Sequence, residues 1–178
     1  MIQELGMPQG EFSINVTAQA IEQPKINGVD KIEFLVSANK GLPLRPLAKV
    51  ASGGELSRIS LAIQVTTSHD KNAATMIFDE VDSGIGGGIA EIVGQKLRTL
   101  GNKAQVLCVT HLPQVAAQAH QHLFVYKSND TAMTTSQVKT LTAEQRIEEM
   151  ARMLGGVNIT QSTLAHAKEM LMNGQTKQ

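Results

Sequence analysis

Residues 52–88 constrain this chain more than any other stretch. They read SGGELSRISLAIQVTTSHDKNAATMIFDEVDSGIGGG. Ser52 followed three residues later by Glu55 has the form of a capping box, with serine at the N-cap and glutamate reaching back to its backbone N–H. The helix it opens carries Leu56, Ile59 and Ile63 on one face and Leu61 and Val65 on another. Such wide apolarity predicts a buried helix running to about Thr67. Ser68 to Asn72 then supply turn residues. Residues 73–78, AATMIF, form a short apolar run without alternation, the pattern of a buried parallel strand. That strand ends on two carboxylates, Asp79 and Glu80, followed by a glycine-rich turn.

Beyond the turn, Ile89, Ile92, Val93, Leu97 and Leu100 recur at helical spacing until Gly101 stops the helix. Residues 104–109, AQVLCV, read as a second buried strand. Strand, helix and strand predict two parallel strands joined by a right-handed crossover. Open α/β sheets take their ligands at the carboxyl ends of such strands. Asp79, Glu80 and His111 therefore share one predicted sheet edge. A short helix is expected at about 113–119.

The flanks have a different character. Residues 11–18 alternate Phe12, Ile14, Val16 and Ala18 with polar residues, the period of a half-buried strand. Residues 31–38 form a second strand candidate. Pro24 and Asn27-Gly28 lie in the connection between them, and NKGLPLRPLAKVA reads as an ordered loop. The first fifty residues thus predict antiparallel β structure. Two further strands are expected at 122–127 and 132–139 around Ser128-Asn129-Asp130. Thr142 with Gln145 is a second capping box, opening a helix with Ile147, Met150, Ala151 and Leu154 on one stripe. A last helix near 160–172 is followed by NGQTKQ, which is expected to fray.

Composition narrows the function classes. With 178 residues, 42% hydrophobic and 18% charged, the chain suits one domain, or one lobe of a larger one, rather than a disordered segment. The formal net charge is zero, so overall charge gives no argument for nucleic acid or membrane binding. One cysteine, Cys108, excludes an internal disulfide framework and fits a reducing compartment. No apolar run reaches the roughly 20 residues of a membrane span, and MIQELGMPQGEF lacks the pattern of a signal peptide. A cytoplasmic location is the expectation.

Two chemistries fit the central stretch on local grounds. SGGELSR is a helix start, and a helix start is also an anion site, because its free N–H groups and dipole attract phosphate while glycines let the ligand approach. An apolar strand ending in Asp is the Walker B pattern, in which the carboxylate helps hold Mg²⁺ on nucleotide phosphates. A following Glu can polarise an attacking water. The same acids read equally as surface carboxylates at a turn. Gly84 and Gly86 to Gly88 read as a turn, His111 taken alone as a structural histidine, and Cys108 as buried and inert. His69, His120, His122 and His166 show no metal-ligand spacing.

Together these pieces resemble a family. SGGELSR resembles the signature motif of ABC-type ATPases, IFDEVDSGIGG their Walker B strand and D-loop, and VTH at 109–111 their switch-histidine motif. They stand in family order. With THLPQVAAQA and ARMLGGVNITQSTLAHAKEML, the wording is similar to SMC-like ATPases of bacterial double-strand-break repair. The resemblance covers nearly the whole chain and is weakest in residues 15–30.

It implies an α/β fold: the C-terminal lobe of an ABC/SMC-type P-loop ATPase head, with a mainly parallel sheet flanked by helices and an antiparallel N-terminal β portion. Residues 1–178 would be one partial head domain, with a β-rich portion at 1–50, the motif core at 51–140 and C-terminal helices at 141–178. Asp79 would serve Mg²⁺, Glu80 would be the general base, and His111 would contact the γ-phosphate and attacking water. Ser52, Gly53, Gly54 and Glu55 would meet the nucleotide of an opposing head, with Asp82 and Ser83 linking the two sites. ATP and Mg²⁺ are the implied cofactors. The implied partners are the N-terminal half of the same head, a second head in a homodimer, and DNA through the intact protein, with no membrane.

No GxxxxGK[ST] loop occurs in the chain. In the family that loop lies in the N-terminal half, beyond a long coiled coil. The chain is therefore expected to be a fragment or truncated product, inactive alone. Two other readings stand beside this one: a metal-dependent phosphoesterase using Asp79, Glu80, Asp82 and His111, and a non-catalytic docking module.

Overall fold

The period-two segment at residue 11 becomes β1 (Glu11–Ala18), which pairs antiparallel with β2 (Asp30–Ser37) in the register Phe12–Val36, Ile14–Phe34 and Val16–Ile32. A computed structural model describes residues 1–20, 26, 28–49, 52–67, 74–130, 133–156 and 158–176. Pro24, Asn27, Ala73 and the expected turn at Ser68 to Asn72 lie outside them. The proline-bearing loop contributes a two-residue strand, β3 (Arg45–Pro46), to the edge of β2, and then a 3-10 turn at Leu47–Lys49.

The strand–helix–strand unit forms as its pattern dictates. Helix α1 (Gly53–Thr67) precedes β4 (Thr75–Phe78), α2 (Gly87–Gly101) and β5 (Gln105–Cys108). Strands β4 and β5 pair in parallel from Thr75–Gln105 to Phe78–Cys108, and Val109 N–H continues the ladder to the Phe78 carbonyl at 3.0 Å. The fold is α/β with a parallel sheet flanked by helices, and the parallel part within the described residues is this one pair. Met76 and Phe78 face inward, while Ile77 on the other face is 71% exposed. A strand expected to be covered on both sides is covered on one.

The main core lies between the inner face of β4–β5 and the two helices. Ile59, Leu61 and Ala62 of α1 meet Ala90, Val93, Leu97 and Leu100 of α2 there. Leu56 of α1 is exposed, so the helix is not buried all round. A short 3-10 helix, Ile2–Leu5, packs against α1 and α2 and buries Ile2, Leu5 and Met7 in the same core. Fully burying such aliphatic side chains stabilises the fold by about 1.5–3 kcal/mol each.

Helix α3 (Pro113–Ala116) follows β5 and is shorter than expected. Strands β6 (Leu123–Asp130) and β7 (Met133–Thr140) pair antiparallel, and residues 128–130, expected as a turn, belong to β6. Thr142 and Gln145 make the full reciprocal capping box of α4 (Ala143–Gly155). Helix α5 runs over Gln161–Thr176, so Asn173 to Thr176 are helical rather than frayed. A second core joins α3, α4 and α5 through Ala116, Ala117, Met150, Ala151, Ala167 and Leu171. Buried Arg146 of α4 donates to the carbonyls of Ala116, Ala117, Ala119 and His120, supplying donors where α3 ends.

Candidate functional site

The carboxyl end of β4 is a tight turn, and every hydrogen bond that shapes it comes from a neighbouring element or from the turn itself. Glu80 has φ 57, and among the described residues it is the one non-glycine residue with positive φ. This left-handed conformation costs a non-glycine residue about 1–3 kcal/mol and persists only where the surroundings enforce it. Here Ser57 of α1 donates to the Asp79 carbonyl at 2.6 Å, Glu80 N–H to Asp79 Oδ1 at 2.9 Å, and Ser83 N–H to the Glu80 carbonyl at 3.0 Å. Asp79 and Glu80 are thereby held at the solvent edge of the sheet, both exposed.

Helix α1 reaches the same turn with its N-terminus. Ser52 Oγ accepts Glu55 N–H at 3.4 Å, as an N-cap does. A Cβ on Gly53 would collide with Glu80 Oε2, and one on Gly54 would sit 2.8 Å from the Ser83 carbonyl and 3.0 Å from Ser83 Cβ. The first collision is with the far end of a side chain, the second with backbone. Glycine at 54 is what lets the helix start approach the turn so closely. Arg58, one turn further along α1, is 5% exposed and donates to the Ser83 carbonyl at 2.7 Å. The helix start and the carboxylate turn are one packed unit.

The segment after β5 closes the site. Asp82 is 2% exposed. Its Oδ2 accepts Thr110 Oγ1 at 2.5 Å and His111 N–H at 3.1 Å, and His111 Nδ1 lies 3.4 Å from the same oxygen. The resemblance sets Asp82 beside Ser83 as a link between two heads. The structure puts the Asp82 carboxylate inside the lobe, where the Thr110 hydroxyl and the His111 N–H donate to it, while Ser83 is exposed. The His111 side chain is 73% exposed.

The structure thus gathers Ser52, Gly53, Gly54, Glu55, Asp79, Glu80, Asp82, Ser83 and His111 at one end of the parallel pair. Arg58, Ser57 and Thr110 were missed as site residues. Arginine on the otherwise apolar side of α1, and a threonine next to the histidine in VTH, were the available signals. The Cys108 thiol is pushed up to about 12 by burial and then by the Asp82 and Asp79 carboxylates, which fits the inert role expected of it.

Two cofactor arrangements can be weighed on these donors. Asp79 stands at the open strand end with Oδ1 already steadied by Glu80 N–H, which fits a single carboxylate ligand to Mg²⁺ whose other positions come from water and phosphate. A multi-carboxylate metal cluster fits poorly. Asp82 is turned inward, and among the described residues no three His, Cys, Asp or Glu side chains are grouped to hold a metal ion. This weighs against the phosphoesterase reading.

Known proteins point the same way. No family model matches the chain. It is 54% identical over 169 residues to the DNA repair protein RecN of Vibrio cholerae, covering 95% of this chain and 30% of the relative. RecN of Bacillus subtilis is 42% identical over 170 residues, covering 90% of this chain and 30% of that protein. Among solved structures, the Smc head domain with coiled coil and joint from Pyrococcus yayanosii matches with a TM-score of 0.58 at 19% identity, over 84% of this chain and 26% of that one. The Smc head of Pyrococcus furiosus bound to the C-terminal domain of ScpA matches with a TM-score of 0.54 at 19% identity, over 85% and 35%. The lobe therefore shares the fold of part of an Smc head domain, and the chain belongs to the RecN family, spanning about 30% of the length of the relatives it matches.

Proposed function

We propose that this segment is the C-terminal half of an SMC-like ATPase head that acts in DNA double-strand-break repair and recombination. The observation that carries the reading is the shared edge of β4 and β5. There, Glu80 is held in a left-handed conformation beside Asp79, the start of α1 and the His111 segment. Asp79 would hold Mg²⁺ on ATP, Glu80 would take the proton of the attacking water, and His111 would meet the γ-phosphate. Ser52, Gly53, Gly54 and Glu55, with Ser83, would face the nucleotide of a second head. Engagement of two heads would then control how the intact protein binds or tethers DNA. A protein with that task belongs in the cytoplasm with the nucleoid. Among the described residues no helix is long and apolar enough to cross a membrane.

Exposed apolar sheet faces support a missing half. Phe12 and Phe34 lie 5.6 Å apart between ring centroids, and Ile14, Val16 and Ile32 beside them are 55%, 58% and 64% exposed. Ile77, Leu107 and Val109 line the open face of β4–β5. An N-terminal half bearing the phosphate-cradling loop would supply what covers them.

The test is Mg²⁺-dependent ATP turnover. The 178-residue chain alone should be inactive, turnover should appear when the N-terminal half is added, and Glu80→Gln should then abolish it while stabilising ATP-bound head pairs. Robust turnover by the chain alone, or full turnover with Glu80→Gln, sinks the reading. Association with the N-terminal half that ignores ATP favours the docking-module reading instead.

A further inference from the structure

We propose that Asp82 is a positioning residue for His111. A carboxylate this far from water persists where donors replace its hydration. Among the described residues its donors are the Thr110 hydroxyl and the His111 N–H, from the segment that leaves β5, and His111 Nδ1 lies 3.4 Å from the same oxygen. Thr110 Oγ1 also accepts Leu112 N–H at 3.1 Å, so the chain winds around one Asp82 oxygen as it leaves the sheet. The imidazole is otherwise open to solvent. A proton on Nδ1 would face the Asp82 carboxylate 3.4 Å away and leave Nε2 as the nitrogen to meet a ligand. Asp82 in turn is anchored through its neighbour, because Arg58 of α1 holds the Ser83 carbonyl at 2.7 Å. Movement at the start of α1 would reach His111 through this one buried side chain.

The inference rests on the proposed role of His111 at a nucleotide, and the variants separate the two. ATP turnover is measured in a full-length RecN-family protein carrying this segment. Asp82→Asn and Thr110→Val should each lower kcat by about tenfold or more and leave KM for ATP within about twofold, as for a misplaced catalytic group. Thr110→Ser keeps the hydroxyl and should retain kcat within about twofold of the parent. Asp82→Asn should add less than about twofold in the His111→Ala background, because groups acting through one another are not additive. In the same protein Asp82→Asn should speed amide exchange at His111 and leave the Val93 and Leu97 amides of α2 protected. Multiplicative losses in the double variant overturn the positioning role. So does exchange that rises equally at His111 and in α2. Parent-like kcat in Asp82→Asn and Thr110→Val, with a loss in His111→Ala, overturns it alone. Unchanged turnover in His111→Ala overturns the nucleotide role of His111 and this inference with it.

Discussion

The two faces of the β4–β5 pair are made of similar residues and meet opposite fates. Inward, Met76, Phe78, Val106 and Cys108 pack on the core shared with α1 and α2. Outward, Ile77 is 71% exposed, Leu107 41% and Val109 61%. The inner face also anchors the loops of the candidate site, through Ser57, Arg58 and Asp82. The outer face resembles the open side of β1–β2, where among the described residues no layer covers the alternating Ile14, Val16 and Ile32. The contrast teaches that the site loops are braced from within the lobe, while the surfaces that would join the lobe to more protein are left bare. The bracing of the candidate site and the exposed apolar surface belong to different sides of the same pair of strands.

The largest expected contrast is chemical. Only a thiolate reacts readily with iodoacetamide, so Cys108 in the folded chain should be alkylated about a hundredfold or more slowly near neutral pH than in the urea-unfolded chain. The thiol is raised from 9.0 to about 12, first by burial and then by Asp82 and Asp79, so the folded state holds this proton more tightly than the unfolded state. Its contribution to stability is full below the unfolded value and is lost as pH rises toward the folded one. Equal alkylation rates in the two states would put Cys108 on the open side with Leu107.

Core and open face can next be compared by stability in urea. Leu61 is 0% exposed, and Leu61→Ala should cost about 2–5 kcal/mol. Ile14 is 55% exposed, and Ile14→Ala should change stability by no more than about 0.5 kcal/mol. A similar cost at both sites would mean that the β1–β2 face is covered in solution, and the contrast would collapse. A smaller effect probes the bracing itself. Gly54→Ala should destabilise by about 1–3 kcal/mol, because the new methyl meets the Ser83 backbone rather than a flexible side chain. A Gly54→Ala variant as stable as the parent would show that α1 and the turn need no such approach.

Much of the local structure was legible from the residues. The alternation from Phe12 to Ala18 marked β1, the Thr142–Gln145 pair marked the start of α4, and AATMIF ending in Asp79 marked β4. These signals are short-range: side-chain period, a cap whose two partners lie three positions apart, a strand ending in acid. Errors fell where distant packing overrides local preference. Asn173 to Thr176 were expected to fray, yet α5 continues through them, and Gly174 lets the helix come close to the Ala117 carbonyl, on which a Cβ would press. Ser128 to Asp130 read as a turn and are drawn into β6 by pairing with β7.

The sequence by itself determined the main helices and strands, their order, and which residue types stand at the carboxyl ends of two adjacent parallel strands. Periodicity and capping act over a few residues, so one chain suffices to read them. Only the tertiary structure decided that Arg58 reaches the turn after β4, that Asp82 faces inward to Thr110 and His111, and that Ile77 and Ile14 are left exposed. Those outcomes depend on which side chains supply donors across 25 or more positions of sequence, and on which faces find a partner layer within the chain. Pattern names the apolar face of a strand; packing alone decides whether anything covers it.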